Sequence, residues 1–190
     1  NDKIDLFMTK EEKKFVYVFD LDNTLIKTNM ANNLSYKEAI KDVAGVDVSV
    51  NAKHRITKDS LRKYLKDIPQ SVINRVVAEK DSCFAKSIDK TVLNVNLFQL
   101  LKVLSECGKE TILLTNSRKK RALQLCRHYD ICRCFTNMFF YEDYTGSKYD
   151  FLKTNGYNLS SVVLFENEDE GKMSAVSAGI MRNNVIRVKF

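Results

Sequence analysis

The 190-residue chain is sparing with several residue types and patterns, and each scarcity removes a class of function. Its six glycines, at 45, 108, 146, 156, 171 and 179, never approach the spacing of a phosphate-cradling loop or a dinucleotide fingerprint, which argues against a nucleotide-driven motor or a dehydrogenase. No apolar run is long enough to cross a bilayer, and no signal-peptide pattern opens the sequence. Internal repeats and low-complexity tracts are missing too. Five cysteines, an odd number, point to reduced thiols and a cytoplasmic setting. Cys126, His128, Cys132 and Cys134 fall close together, yet they offer neither Cys-x-x-Cys nor a separated His pair. They read as small buried residues where a helix over 119–129 meets the next strand, with zinc as the alternative.

The formal charge of +7 is not gathered into one tract. Its densest run is Arg118, Lys119, Lys120 and Arg121. Such a run usually forms a solvated face, and the alternative is that one or two of these side chains attract an anionic substrate. Base-stacking aromatics are not interleaved with it, so phosphate attraction ranks above nucleic-acid binding.

What is present is sharper. Residues 16–25 read Val-Tyr-Val-Phe-Asp-Leu-Asp-Asn-Thr-Leu, an apolar run ending on Asp20 and Asp22 with a hydroxyl at Thr24. The run suits a strand buried on both faces of a parallel sheet, and the carboxyl ends of such strands are where ligands bind. Alternation points Asp20 and Asp22 the same way, and two like charges that close call for a cation or a shared proton. Oxygen donors favour a hard ion, with Mg2+ the usual choice beside phosphate. The plain alternative is a strand end followed by an Asp-Asn turn.

Asp-x-Asp-x-Thr-Leu after an apolar strand resembles the first motif of the haloacid dehalogenase superfamily, most of whose members are phosphohydrolases. Three more segments match that family in order. Thr-Ile-Leu-Leu-Thr-Asn-Ser over 111–117 resembles the second motif, ending on Thr115 and Asn116. Lys148 stands where the third-motif lysine stands, although Tyr149 follows instead of the frequent proline. Residues 162–180, with Phe-Glu-Asn-Glu-Asp-Glu-Gly and a closing Ala-Gly, look like the acidic fourth motif. Asn167 occupies a position where the family usually has a metal-holding Asp.

The resemblance implies an α/β fold, a Rossmann-like parallel sheet with helices on both faces, and an all-helical cap that chooses the substrate. Residues 1–27 and 95–190 are expected to form the core and 28–94 the cap. The implied activity is Mg2+-dependent hydrolysis of a small phosphorylated substrate, a sugar phosphate or nucleotide, through an aspartyl-phosphate. Asp20 is then the nucleophile and Asp22 the acid and base, its proton affinity raised by Asp20 beside it. Lys148, Thr115 and Asn116 hold the phosphate. Asp20, the backbone of Asp22, Glu166 as the retained acidic ligand and Asn167 as a neutral one hold the metal. The second aspartate argues against a dehalogenase. A sugar phosphomutase of the same fold, and a catalytically weakened binding or regulatory protein, are the alternatives.

A segment as long as 27–95 must fold as something more than a loop. Helices are expected over 36–44, 57–68 and 69–88, with Thr57 as an N-cap, Pro69 in a first turn, and Val72, Ile73, Val76 and Val77 as an apolar stripe. Among its basic residues, His54, Arg55, Lys58, Arg62 and Lys63 could touch substrate, but each taken singly reads as solvated. After it come a helix over 96–107 stopped by Gly108, strands over 138–141, 161–165 and 185–188, and helices over 148–155 and 171–178. Residues 1–14 read as a mobile lead-in.

Overall fold

The computed structural model describes residues 14–190, so the expected lead-in lies, apart from Lys14, outside the described residues. The elements in chain order are β1 (Val16–Phe19), β2 (Ile26–Lys27), α1 (Asn29–Ala44), α2 (Gln70–Cys83), β3 (Val92–Leu93) and α3 (Val95–Glu106). They are followed by β4 (Glu110–Leu114), α4 (Lys119–His128), β5 (Asn137–Phe139), α5 (Lys148–Thr154), β6 (Val162–Glu166), α6 (Asp169–Ala178) and β7 (Val185–Arg187).

Five strands form one parallel sheet in the order β5-β4-β1-β6-β7. The chain travels outward through β4 and β5 on one side of β1, then returns to β6 and β7 on the other. This reversal opens a crevice beyond the carboxyl end of β1, where the strands on either side diverge. Register is set by the central strand: Phe19 lies opposite both Leu113 and Phe165, so Asp20 emerges directly into that crevice.

Strand alternation divides the core into two layers. Val16, Val18, Ile112, Leu114, Val162 and Leu164 pack against Tyr149 and Leu152 of α5 and Ala175 of α6. Phe19, Leu113 and Phe165 face the other way, onto Leu97 and Leu101 of α3 and Ala122 and Leu125 of α4. Phe19 is fully buried and stacks on Phe165 with ring centroids 4.6 Å apart, a burial that contributes on the order of 2 kcal/mol.

Residues between β2 and β3 make a third apolar cluster of their own. Tyr36, Ala39 and Ile40 of α1 meet Ile73, Val76 and Cys83 of α2, with Ile56, Leu61 and Leu65 from the segment between. β2 and β3 pair antiparallel, Ile26 opposite Leu93, where the chain leaves and re-enters the sheet domain's edge; this pair was not expected. Three helix expectations need correction. The helix expected over 36–44 begins seven residues earlier, at Asn29. The one expected over 57–68 shrinks to a single 3-10 turn, Asp59–Lys63. Thr57 does cap that turn, exchanging bonds with Ser60 at 2.8 and 3.2 Å. Pro69 then forces Ile68 out of helical geometry, and Arg62 Nη1 seals the end by donating to the Ile68 carbonyl at 2.7 Å. Over 69–88, α2 stops at Cys83 and continues as the 3-10 segment Phe84–Lys90.

Candidate active site

The turn after β1 places the two acids. The Asp20 amide makes a last rung to the Phe165 carbonyl at 3.1 Å, and the Leu21 carbonyl then accepts from Thr24, Leu25 and Ile26. Closing so tight a turn requires a left-handed residue, and Asn23 supplies it with φ of 58°. Thr24, fully buried, sits with its hydroxyl 2.9 Å from Asp20 Oδ2 and 3.2 Å from Asn167 Oδ1.

Asp20 lies on the α5 side of the sheet. Ser147 caps α5 by accepting from the Tyr149 amide at 3.2 Å, and this fixes Lys148 in the first turn beneath the crevice. The buried Lys148 Nζ lies 2.7 Å from Asp20 Oδ1 and 3.3 Å from Glu166 Oε2. Burial raises the Asp20 carboxyl to about 7; Lys148 opposes this, and the charges of Glu166 and Asp22 reinforce it. Burial works against the Lys148 charge as well, but Asp20, Tyr149 and Glu166 outweigh it and hold the ammonium well above the usual lysine range.

Glu166, expected as the acidic metal ligand, is committed elsewhere. Oε2 accepts from Lys148 and from the Tyr149 hydroxyl at 2.8 Å, while Oε1 accepts from the amides of Asn167 and Glu168 at 2.9 and 3.3 Å. Strand parity is the reason: Val162, Leu164 and Glu166 share the face toward α5. Gly171 makes room for it, since a Cβ there would stand 2.6 Å from the Glu166 carboxyl carbon. Both residues of the fourth-motif pair reach Asp20 through one intermediary, Glu166 through Lys148 and Asn167 through the Thr24 hydroxyl.

Asp22 reverses its expectation. Rather than gaining proton affinity from Asp20, it is gripped by cations. Arg121 Nη2 donates to Oδ1 at 2.6 Å and Nη1 to Oδ2 at 3.1 Å, Arg55 Nη2 lies 3.3 Å from Oδ1, and Thr28 and Ser117 each donate at 2.5 Å. Burial alone would raise its pKa, but Arg121 and then Arg55 drive it far below the usual carboxylate range. Arg121 also donates to the Ser117 hydroxyl.

Asp20, Asp22, Lys148, Glu166, Thr115, Asn116 and Arg55 all line one cavity of about 520 Å³. Thr115 closes β4; its hydroxyl accepts from the Ser117 amide at 3.0 Å. The Tyr144 hydroxyl stands 2.9 Å from the Thr115 carbonyl and 2.7 Å from Asn116 Oδ1, bracing both residues. All seven residues expected at the site thus border or adjoin this crevice, Asn167 by way of Thr24.

Arg121, Arg55, Ser117 and Thr28 were not expected there individually. For Arg121 only a partial signal existed: it stands four residues before the buried Leu125, but Arg118 and Lys119 have the same kind of spacing to Ala122, so the pattern does not single it out. Arg55 had none, being placed by buried asparagines. Asn33 of α1 donates to the carbonyls of Asn51 and His54 at 2.6 and 2.7 Å and accepts from the Ile56 amide at 2.8 Å; Asn32 donates to the Ile56 carbonyl at 2.9 Å. The Cys126 and Cys134 side chains belong to the apolar core, and burial pushes the Cys126 thiol up to about 12.

An open parallel sheet with an acid pair and a buried lysine at its switch point has these groups where α/β enzymes bind their ligands. The family model for haloacid dehalogenase-like hydrolases matches residues 17–185, and the chain belongs to that family. Its fold is similar to that of a protein assigned as a phosphatase from Clostridium difficile, at 20% identity and TM-score 0.71 over 88% of this chain and 82% of that one. CbbY from Rhodobacter sphaeroides, solved in complex with phosphate, is 17% identical with TM-score 0.73 over 88% and 84%. A protein assigned as a beta-phosphoglucomutase from Thermotoga maritima is 20% identical with TM-score 0.64 over 93% and 86%. No curated protein matches the chain. Among the described residues, no helix is long and apolar enough to cross a membrane.

Proposed function

We propose that this hydrolase cleaves small phosphomonoesters, sugar phosphates or nucleotides, by way of a phosphorylated Asp20. The observation that carries the reading is the buried Lys148–Asp20 pair at 2.7 Å at the sheet's switch point. It puts a nucleophilic carboxylate beside a cation able to stabilise charge on a transferring phosphoryl group.

Asp20 attacks phosphorus in line, and the bond to the leaving alcohol oxygen breaks. Asp22 passes a proton to that oxygen. It then takes a proton from the water that attacks the phosphorus of aspartyl-phosphate, releasing inorganic phosphate and restoring Asp20. Proton exchange at Asp22 requires its arginine partners to be drawn off, and an incoming phosphoryl group that competes for both Arg121 and Arg55 raises its proton affinity. Lys148, the Thr115 hydroxyl and Asn116 orient the phosphoryl oxygens. The helical segment 28–94 acts as the cap over this chemistry.

The donor chemistry here suits Mg2+. Asp20 has too little positive charge near it to hold its carboxylate at the ordinary pKa, and the oxygens available are its carboxylate, the Asp22 main-chain carbonyl and the Asn167 amide oxygen. Mg2+ supplies charge neutralisation for the phosphate when bound. With Asn167 in place of a carboxylate, this set binds it weakly. The five free cysteines suit a reducing, cytoplasmic compartment.

The test is phosphate release from a phosphomonoester panel with and without Mg2+. Activity is expected with Mg2+, falling by about 10⁴ or more in Asp20→Asn, on the scale of losing a nucleophile. No release from any substrate would instead favour a binding or regulatory protein, and transfer without net release a phosphomutase.

A further inference from the structure

We propose that Tyr149 is a positioning residue for phosphoryl transfer: by tying down the Glu166 carboxylate, its hydroxyl keeps the Lys148 ammonium turned to Asp20. The inference deepens the phosphomonoester reading and rests on it.

Two buried carboxyl groups compete for one buried cation. Lys148 Nζ lies 2.7 Å from Asp20 Oδ1 and 3.3 Å from Glu166 Oε2, and all three residues are buried. In so dry a site the attraction to either acid is strong, so a small bias decides which of them the ammonium serves. A lysine drawn onto Glu166 would be withdrawn from a phosphoryl group arriving at Asp20.

Tyr149 supplies the bias. Its hydroxyl donates at 2.8 Å to the same Glu166 Oε2 that Lys148 approaches, and among the described residues these two are the only donors to that oxygen. An oxygen that already accepts one short hydrogen bond has less charge and fewer lone-pair directions to offer a second donor. Oε1 is held by the amides of Asn167 and Glu168, so the carboxylate is fixed at both ends and does not pivot toward the ammonium. Burial, against the opposing field of Lys148, pushes the Tyr149 hydroxyl above the usual tyrosine range, so it stays a donor.

The ring itself cannot drift. Tyr149 is 1% exposed and belongs to the apolar layer that holds Val18, Ile112 and Leu164, while the Ser147 hydroxyl accepts from its amide at 3.2 Å. Lys148 Nζ lies 5.2 Å from the centroid of the same ring, close enough for the aromatic face to steady the cation. One side chain thus touches both the ammonium and the rival acid. Without the hydroxyl, Oε2 would be a buried acceptor with Lys148 as its remaining donor, and the ammonium would be pulled toward it.

The experiment is Tyr149→Phe, which keeps the ring face and removes only the hydroxyl, made in the parent and in Glu166→Gln. With saturating Mg2+ and a phosphomonoester that the parent hydrolyses, kcat is expected to fall about tenfold while KM stays within about twofold, the scale of one hydrogen bond to a charged group. In Glu166→Gln the rival charge is gone, and the same substitution should change kcat by less than about twofold. A merely structural role would lower the melting temperature and cost the same factor in both backgrounds. Crystal structures of the metal-free parent and of Tyr149→Phe read the placement without turnover. In the variant, Lys148 Nζ should close on Glu166 Oε2 to about 2.8 Å and open from Asp20 Oδ1 to about 3.2 Å or more. An unchanged kcat, an equal loss in both backgrounds, or an ammonium still nearer Asp20 than Glu166 in the variant overturns the positioning role. If the parent releases no phosphate from any substrate and the ammonium nevertheless moves in the variant, the phosphatase reading falls and the hold of Tyr149 on Lys148 stands.

Discussion

The two halves of the crevice treat their carboxylates in opposite ways. On the α5 side, Asp20 is buried with one lysine to share with Glu166, and its proton affinity rises to about 7. On the side of the helical segment, Asp22 lies only two residues on, yet two arginines and two hydroxyls hold it as an anion. Burial pushes both acids the same way, so the difference comes from how many cations each can reach. Asp20 is left short of positive charge where a nucleophile and a metal would use the deficit. Asp22 is overpaired, and its partners tie the helical segment to the core.

Breaking the overpaired side should have the largest effect on stability. Arg121→Leu takes from the half-buried Asp22 its two-pronged arginine partner and leaves it Arg55, Thr28 and Ser117, and denaturant unfolding is expected to show a loss of about 3 kcal/mol. Adding Asp22→Asn should restore part of it. Additive losses in the double variant would show that the two side chains are not coupled.

The underpaired side predicts a pH signature. With a folded pKa near 7 against 3.8 unfolded, Asp20 binds more protons in the native state, so the metal-free protein loses stability as pH rises from about 4 to about 7. Asp22 has the reverse sign: its contribution is complete above 3.8 and is lost as pH falls below it. Asp20→Asn removes the burial penalty of the charge. Metal-free thermal melts should therefore show the variant about 2 kcal/mol more stable than the parent at pH 8 and level with it near pH 4. A gap that does not change with pH would put the charge deficit elsewhere.

A smaller shift is expected from supplying the missing ligand charge. Asn167→Asp should tighten Mg2+ binding about tenfold by calorimetry, and an unchanged affinity would place that side chain outside the shell.

Legibility in the sequence follows what holds each part. β1, β4 and β6 are buried on both faces and their apolar runs announce them, as Asp20, Thr115 and Lys148 announce the crevice. The first two turns of α1 do not, because their buried face carries Asn32 and Asn33 bonding to loop carbonyls rather than an apolar stripe. Arg55 rides on that same loop, so its arrival at Asp22 leaves no periodic trace. Glu166 was readable in part: its parity with Val162 and Leu164 turns it toward α5, a direction that acidic composition alone conceals.

The claim that Asp20 carries the phosphoryl group has a direct chemical readout. Protein quenched during turnover, treated with borohydride and mapped by peptide mass spectrometry should show Asp20 reduced to homoserine, the product of an acyl phosphate. Unaltered Asp20 under conditions that trap the turnover state, while phosphate is still being released, would contradict the account.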